Sequence, residues 1–425
     1  MARDVEARAT RTGRAIGGTV VIATAGGVES LVPPLTIGTT ASEVRDLIFE
    51  PLAEIGPGLN TFGDAGFRPR LAERWTWAAD SLSIAFHLDP RAHFHDGSPV
   101  RAADVRFTFD LYRNPATGSH VAIDLVGIDS VTARDSLTAV FWFHYRSPEQ
   151  FYSAVIPLRI LPAARLRDVP PAALGQSAFA QAPVGSGPFR FASHSPGTQI
   201  EVVANPTYHL GRPFLDRVIW SVTPDPAAAV ARMLTGDADV YEALRPEQLT
   251  LLARRPSLRM ISSAGLYNGY LLFNLRDPEA RTPRPNPIFG DRALRRALAA
   301  ALDRRTMVRN VFDTLAAVAL GPFTRAQPSA DTTVVQPVYD PAAAARALDA
   351  LGWRPSGPDG IRTRNGRRLS FTLIAPISSQ PRLRYAVLIQ EQLRRVGVEV
   401  RVEPLDFVTY LTRLHERRFD AAVHG

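Results

Sequence analysis

Residues 71–114 constrain the fold of this chain more than any other stretch, because three structural signals follow one another in a fixed order. Apolar side chains alternate with small or polar ones over 82–88, and a period of two predicts a half-buried strand. Asp89-Pro90 ends that strand, since proline has no N–H to donate to a sheet. A turn-rich loop then leads to Asp104, which is suited to cap an amphipathic helix.

Four short motifs occur in and before this stretch. They are Glu-Pro-Leu at 50–52, Pro-Arg-Leu-Ala-Glu-Arg-Trp at 69–75, Phe-His-Asp-Gly-Ser-Pro at 94–99 and Ala-Asp-Val-Arg-Phe at 103–107. In this order they resemble the family 5 extracellular solute-binding proteins of ABC importers, which include oligopeptide, dipeptide and nickel binders. One such fragment is weak evidence, whereas four in register are strong.

Later segments extend the resemblance from Thr19 to the last residue. Gly-Ser-Gly-Pro-Phe begins at Gly185, Asn-Pro-Thr-Tyr at Asn205, and Tyr-Asp-Pro at Tyr339, where Asp340 is a suitable helix N-cap. The glycine-rich segment lacks the Gly-Lys-Ser/Thr ending of a phosphate-binding loop and leads into a strand, so we interpret it as a tight turn.

An α/β fold is expected from the order of the elements. A strand over 218–222, a helix over 224–234 and a strand from Asp239 imply a parallel crossover. The resemblance adds a two-lobed periplasmic-binding-protein fold of type II, with mixed sheets flanked by helices.

The resemblance also implies domain bounds, which we state as expectations. Residues 1–18 form a polar leader and 19–265 form lobe I, with an extra subdomain inserted at about 46–175. Lobe II covers 266–425. Family members continue beyond the strand that starts near Phe419, so the chain looks C-terminally incomplete. The acidic residue that anchors a peptide's α-amino group in such members would lie just past its end.

The basic charge of the chain comes entirely from arginine. There are 49 Arg and no Lys against 41 Asp and Glu, which gives a net charge of +8 and a pI of about 10.2. The Arg pairs fall on charged helix faces and not in one run with interleaved aromatics. We therefore expect solvated surface arginines and no nucleic-acid partner.

Cysteine is absent, which excludes disulfides, thiolate metal sites and a Cys nucleophile. The first 18 residues lack the apolar core of a signal peptide. Either an export signal was removed or lies upstream, or the protein is cytoplasmic. No stretch approaches the roughly 20 apolar residues of a membrane helix.

Catalytic and metal sites find little support in the sequence. His93 and His95 could offer two imidazoles to a metal, but they coincide with the family's Phe-His-Asp-Gly turn, and no third ligand is evident. No Gly-x-Ser-x-Gly elbow occurs, and the close pair Asp237 and Asp239 matches a family motif near a helix end. We expect no enzyme activity, no cofactor and no metal.

The resemblance places three segments at the ligand site, 28–30, 267–269 and 321–323. The candidate binding residues in them are Glu29, Ser30, Tyr267, Asn268, Gly269 and Phe323. Glu29 could meet a cationic group, Tyr267 and Phe323 could stack on the ligand, and Asn268 could bond a backbone amide. The alternative is that both aromatics belong to the core and that Glu29 is merely solvated.

The expected function is substrate binding for an ABC transporter, with a peptide-like solute captured in an interlobe cleft. The expected partners are that solute and the permease subunits in the membrane, and the protein is expected to be a monomer on the periplasmic or extracellular side. A binder of nickel or another metal chelate, or of another small solute, is an alternative on the same fold. A cytoplasmic sensor is another, although 18 residues before the first strand cannot form a helix-turn-helix head.

Overall fold

The computed structural model of the protein describes residues 16–242, 244–261, 265–327 and 329–425. Contacts divide the chain into two compact units, unit 1 ending at Gln248 and unit 2 starting at Leu249. Both contain sheets and helices, which confirms the expected α/β class. The lobe and subdomain bounds given above stay predictions. Across the described ranges, no helix has both the length and the apolar character needed to cross a membrane.

Unit 1 contains eleven strands in its described part. They are β1 (Thr19–Thr24), β2 (Ala53–Ile55), β3 (Phe67–Pro69), β4 (Ala72–Trp77), β5 (Ser83–Leu88), β6 (Ile128–Ala133), β7 (Thr138–Phe143), β8 (Phe189–Ser195), β9 (Gln199–Ala204), β10 (Arg217–Val222) and β11 (Val240–Tyr241). Its helices are α1 (Thr39–Ile48), α2 (Ala102–Arg113), α3 (Gln150–Val155), α4 (Ala163–Leu166), α5 (Ala178–Gln181), α6 (Pro226–Thr235) and α7 (Pro246–Ala253), the last of which crosses into unit 2.

Three sheets organise unit 1. The largest has the order β11-β1-β10-β9-β8, and β1 lies parallel to both β10 and β11. The second is an antiparallel sheet of order β4-β5-β7-β6, and β2 pairs with β3 in the third. The strand predicted over 82–88 is the central β5, and five of its six residues are buried. Its Phe86 packs edge-on against Phe141 at a centroid distance of 5.3 Å.

Unit 2 contains β12 (Tyr270–Phe273), β13 (Arg354–Pro355), β14 (Arg362–Arg364), β15 (Arg367–Arg368), β16 (Ser370–Pro376), β17 (Glu399–Leu405) and β18 (Ala421–His424). Its helices are α8 (Arg292–Ala300), α9 (Arg304–Phe312), α10 (Pro341–Ala350), α11 (Gln380–Arg394) and α12 (Phe407–His415). The main sheet has the order β12-β18-β16-β17, with β16 parallel to β17 and β18, and β13, β14 and β15 form a small meander.

Local predictions in unit 2 have mixed outcomes. Asp340 caps α10 as expected, because its carboxylate accepts a hydrogen bond from the Ala343 N–H at 2.7 Å. The alternation of helices and strands in the sequence also predicts a strand over 258–262. That prediction is wrong for 258–261, which contain no strand, and Ser262 lies outside the described residues. The sequence also predicts a helix here from one apolar stripe. The residues of that stripe are all buried on or just past α8: Leu294, Ala297, Leu298, Ala301 and Leu302.

A close approach of two glycines joins two sequence motifs to the end of α1 in unit 1. Gly187 donates its N–H to the Ile48 carbonyl at 2.8 Å, and a Cβ on Gly185 would lie 1.9 Å from that same oxygen. The His95 N–H donates to the Gly185 carbonyl at 2.7 Å. A side chain at Gly185 would therefore separate the end of α1 from the Phe-His-Asp-Gly turn. Glycine is needed here because there is no room for a Cβ atom.

A second junction in unit 1 is a buried ionic cluster centred on His209. Its two ring nitrogens lie 3.4 Å from Glu50 Oε1 and 3.3 Å from Asp89 Oδ2. The hydroxyl of Tyr208 donates to Glu50 Oε1 at 2.5 Å and accepts from Arg70 at 3.1 Å. All three groups of the ion triad are almost fully buried, so the cluster ties the Glu-Pro-Leu motif, the end of β5 and the loop after β9 together.

The charges of the cluster favour a protonated His209. Burial alone lowers the pKa of His209, but hydrogen bonds and charges from Glu50 and Asp89 outweigh burial and raise that pKa above its ordinary value. Burial raises the pKa of Asp89, yet hydrogen bonds from Arg91 and His209 bring it down to about 2. An imidazolium between two carboxylates is thus the state that unit 1 stabilises.

Replacing His209 by Asn should destabilise unit 1 in a pH-dependent way. Because the pKa of His209 is raised on folding, its contribution is complete below the unfolded pKa of about 6.5 and is lost as the pH rises through the folded pKa. We expect a loss of roughly 3 kcal/mol at about pH 6 and a smaller loss at about pH 9. Urea unfolding followed by tryptophan fluorescence checks this, since four of the five tryptophans lie in unit 1.

The matched control for His209 is His93→Asn, because His93 is exposed and its ring bonds the Arg91 carbonyl at 2.8 Å. A loss for His209→Asn that is the same at both pH values would contradict the imidazolium assignment.

Candidate functional site

The carboxyl ends of parallel strands are where α/β proteins place their binding residues, because the loops that follow these strands converge there. In unit 2 this edge comprises the ends of β16 and β18 and the antiparallel neighbour β12. The chain reaches β12 through Tyr267 and Asn268, two of the predicted binding residues. The edge therefore gathers part of the predicted site within unit 2.

Tyr267 lies exposed at this edge and is held by an arginine. Its side chain is 60% exposed, which rejects the alternative of a core aromatic. Arg382, in the first turn of α11, donates from Nε to the Tyr267 hydroxyl at 3.0 Å and packs over the ring at 5.7 Å. It also donates to the Gly425 carbonyl at 2.7 Å. A guanidinium and a phenol ring are thus presented together.

Asn268 joins two of the predicted segments to each other. Its Nδ2 donates to the carbonyl of Gly321 at 3.2 Å and to that of Pro322 at 2.7 Å. Phe323 follows directly and is 47% exposed, so it is not a core residue either. The Nδ2 group of Asn268 therefore bonds within the protein, and the predicted bond of Asn268 to the ligand stays a prediction. Gly269 is exposed beside it.

More aromatic groups line the same edge of unit 2. Tyr270 packs edge-on against His424, with ring centroids 5.6 Å apart. The Tyr410 hydroxyl lies 2.9 Å from both His424 Nδ1 and the Val423 carbonyl. Burial lowers the pKa of His424, so its imidazole is neutral near neutral pH. The surface is aromatic and carries the single cationic side chain of Arg382 among these groups.

The remaining predicted residues lie in unit 1, at the corresponding edge of its main sheet. Glu29 and Ser30 are in the loop that follows β1. Glu29 is exposed, and the Ser30 hydroxyl accepts a hydrogen bond from the Val32 N–H at 3.2 Å. The neighbouring Val28 is buried, which fixes the loop at this edge. The structure places both residues where a binding role is possible.

A pair of carboxylates at this edge of unit 1 was missed in the sequence. Glu43 of α1 lies close enough to Glu242, just after β11, for their carboxyl groups to interact. Burial first and then repulsion from Glu242 raise the pKa of Glu43. The Trp220 indole N–H donates to Glu43 at 3.2 Å. The two acids lie 199 positions apart in the chain, so no local motif could have revealed them.

Arg382 was also missed, although a signal for it existed. It stands in the first turn of the helix that follows β16. The apolar run over 369–374 in the sequence predicts that strand. A charged residue at that position is a candidate under the rule that ligands meet the carboxyl ends of parallel strands.

The His93 and His95 pair has the turn chemistry that the sequence favoured. His95 Nδ1 accepts from the Gly185 N–H at 3.2 Å, and Nε2 donates to the Gly187 carbonyl at 3.1 Å. Burial is the main cause that lowers the pKa of His95 to about 4, so the ring is neutral. Both nitrogens are therefore engaged by backbone groups. The described residues include no group of three or more His, Asp or Glu side chains arranged to hold a metal ion.

Comparison with known proteins shows that the chain matches a protein family. "Bacterial extracellular solute-binding proteins, family 5 Middle" matches residues 66–425. The sequence is 27% identical over 415 residues to the oligopeptide-binding protein AppA of Bacillus subtilis, covering 96% of this chain and 73% of AppA. It is 32% identical over 325 residues to protein XP55 of Streptomyces lividans, covering 76% of this chain and 56% of XP55.

Known structures agree on the fold. The structure of B. subtilis AppA in complex with a nonapeptide has a TM-score of 0.80 and 26% identity, and the match covers 96% of this chain and 79% of that chain. The structure of NikZ from Campylobacter jejuni in complex with Ni(L-His) has a TM-score of 0.77 at 24% identity, covering 96% and 76%. The chain thus has the periplasmic-binding-protein fold that the sequence predicted.

Replacing Asn268 by Ala should loosen the segment around Gly321. Two hydrogen bonds at about 1 kcal/mol each are lost, so the Gly321 and Phe323 amides should exchange about tenfold faster or more. Hydrogen exchange read by mass spectrometry or NMR measures this. Asn310→Ala, at an exposed position of α9, is the control. Unchanged exchange in Asn268→Ala would show that Asn268 does not hold the segment.

Proposed function

The chain belongs to the bacterial extracellular solute-binding proteins of family 5, and from that premise we propose that it is the substrate-binding component of an ABC importer for a peptide-like solute. It binds its ligand and releases it unchanged, so its selectivity is a difference in affinity between solutes. We expect no catalysis, no cofactor and no bound metal in this role.

The observation that carries the peptide assignment is the aromatic and cationic edge of unit 2. Tyr267, Tyr270 and Phe323 are all partly exposed, and such rings stack on side chains or on the planes of peptide bonds. Arg382 offers a planar guanidinium beside them, which suits a ligand carboxylate because it can donate two parallel hydrogen bonds. A peptide supplies both kinds of partner.

Unit 1 supplies the opposite charge at its own edge. Glu43 and Glu242 interact with each other and carry acidic groups that suit an ammonium or guanidinium of the ligand. Glu29, exposed in the loop after β1, adds a third carboxylate. We propose that these acids recognise a cationic group of the solute and that Ser30 fixes the loop around them.

The relatives' names support a peptide over other solutes. AppA is named for oligopeptides and was solved with a nonapeptide. The similarity to NikZ with its nickel complex, at 24% identity, concerns the fold alone. A metal chelate therefore remains the alternative that the first experiment below must exclude.

The biological setting of this function is part of the proposal. Members of family 5 are extracellular or periplasmic, and we place this protein there, handing its solute to permease subunits in the membrane. We propose that it acts as a monomer, with lobe I at 19–265, including a subdomain at about 46–175, and lobe II at 266–425.

A peptide-like ligand should raise the thermal stability of the protein, because a ligand that binds the folded state stabilises it by mass action. The gain is about 2.7 kcal/mol at a ligand concentration one hundred times Kd. A thermal-shift screen with a random oligopeptide mixture, individual dipeptides and nickel–histidine complexes measures this. A shift with the nickel complexes and none with any peptide would overturn the peptide assignment.

Arg382→Gln should weaken peptide binding about tenfold to a hundredfold, because a charged hydrogen bond contributes roughly 1.5–3 kcal/mol. Titration calorimetry with a peptide found in the screen measures the affinity. Arg384→Gln is the matched control, since Arg384 is an exposed arginine two positions along the same helix. Equal effects of the two substitutions would remove Arg382 from the site, and C-terminal amidation of the peptide should abolish the difference between them.

A further inference from the structure

His424 ends β18 at the same edge of unit 2 that carries Tyr267 and Arg382. The next residue, Gly425, accepts a hydrogen bond from Arg382 at 2.7 Å, and a Cβ on Gly425 would lie 2.6 Å from the Tyr267 hydroxyl oxygen. The imidazole of His424 is half-buried and packs edge-on against Tyr270. His424 therefore lies directly beside the groups to which the proposed function assigns the solute.

Tyr410 determines which nitrogen of this imidazole carries the proton. Its hydroxyl lies 2.9 Å from the Val423 carbonyl and 2.9 Å from His424 Nδ1. A carbonyl can only accept, so the single hydroxyl proton is donated to Val423, and the hydroxyl oxygen accepts from an N–H at Nδ1. Burial raises the pKa of Tyr410 to about 12, so the hydroxyl keeps its proton at neutral pH.

Nε2 of His424 is consequently a hydrogen-bond acceptor. A neutral imidazole has one ring proton, and here that proton is on Nδ1. Burial first, and then the nearby charge of Arg382, lower the pKa of His424, which keeps the ring neutral. Within the described part of the chain Nε2 bonds no other group, and it is not one of the buried polar atoms that lack a partner. Its lone pair is thus open to solvent at this edge.

A hydrogen-bond donor lies close to this acceptor. The Tyr267 hydroxyl oxygen accepts from Arg382 Nε at 3.0 Å, and no described residue accepts the hydroxyl proton of Tyr267. The edge thus presents one free O–H donor and one free nitrogen acceptor, which correspond to the C=O and the N–H of a peptide group. The positive charge of Arg382 disfavours an ammonium beside it, so a neutral amide N–H is the better partner for Nε2.

We infer that His424 Nε2 accepts a hydrogen bond from a backbone amide N–H of the solute, and that Tyr410 is the positioning residue that keeps Nε2 unprotonated. The inference rests on the proposed function, because it names one contact of the same peptide-like solute. A solute without that N–H leaves Nε2 unpaired in the complex and binds less tightly. His424 is therefore a specificity-determining residue of this edge.

The tautomer is tested first, in the free protein. NMR with isotope-labelled histidine should show His424 with a protonated Nδ1 and an unprotonated Nε2 at neutral pH, and His424→Asn identifies its signals by their loss. Tyr410→Phe removes the acceptor for Nδ1 and should give a mixture of the two tautomers. No solute is needed, so this result is independent of the proposed function. A protonated Nε2 in the unsubstituted protein would overturn the inference.

The contact is tested with pairs of peptides in which one backbone amide is replaced by an ester, because the ester lacks the N–H but has nearly the same shape. The peptide is one that binds in the thermal-shift screen, and titration calorimetry compares it with its ester analogues. At one position the ester should bind about twofold to tenfold more weakly, which corresponds to one neutral hydrogen bond.

His424→Asn should remove that difference between amide and ester. The Asn side chain can still donate to Tyr410, but it has no atom at the place of Nε2. His415→Asn is the matched control, because His415 is exposed at the end of α12, and there the difference should persist. Melting curves confirm that every variant is folded.

The outcomes separate this inference from the proposed function. An amide–ester difference that persists in His424→Asn, or that occurs at no position in the unsubstituted protein, would overturn the inference and leave the peptide assignment intact. A difference that is lost equally in His415→Asn would overturn the assignment to His424. Absence of binding by every peptide would contradict both the inference and the proposed function.

Discussion

The packing of unit 1 depends on a direct contact between two backbone segments, with no side chain between them. Gly185 and Gly187 lie against the last turn of α1, and a Cβ on either would fall within 2.4 Å of a carbonyl oxygen of that turn. The approach lets Gly187 bond the Ile48 carbonyl and lets His95 bond backbone groups with both ring nitrogens. Two motifs far apart in the sequence and the last turn of α1 are thereby held together by hydrogen bonds that require glycine.

The buried ionic cluster makes a second set of long-range connections by a different means. His209 lies between Glu50 and Asp89, and the Tyr208 hydroxyl connects Glu50 to Arg70. Charges are costly to bury, so each must be balanced by a neighbour, and removing one partner costs more than the intact pair contributes. The cluster therefore specifies which loops lie together. The stability of unit 1 depends on pH because it depends on the protonation of His209.

The chemistry of binding differs between the two units. At the edge of unit 1 the notable groups are the acids Glu43 and Glu242, whereas unit 2 presents Tyr267 beside Arg382. The acids of unit 1 suit a cationic group of a solute, and the guanidinium of Arg382 suits an anionic one.

Periodicity and end signals in the sequence determined the elements themselves: the alternation that makes β5, the apolar stripe of α8 and the cap that Asp340 supplies to α10. Family motifs pointed to Tyr267, Asn268 and Phe323, and to the fold. The tertiary structure alone decided that Asn268 binds the Gly321 carbonyl, that Glu43 meets Glu242 and that Arg382 reaches Tyr267. The physical reason is that burial patterns and helix caps depend on residues that are close together in the sequence. Contacts between distant side chains follow from strand order and register, which no short stretch of sequence contains.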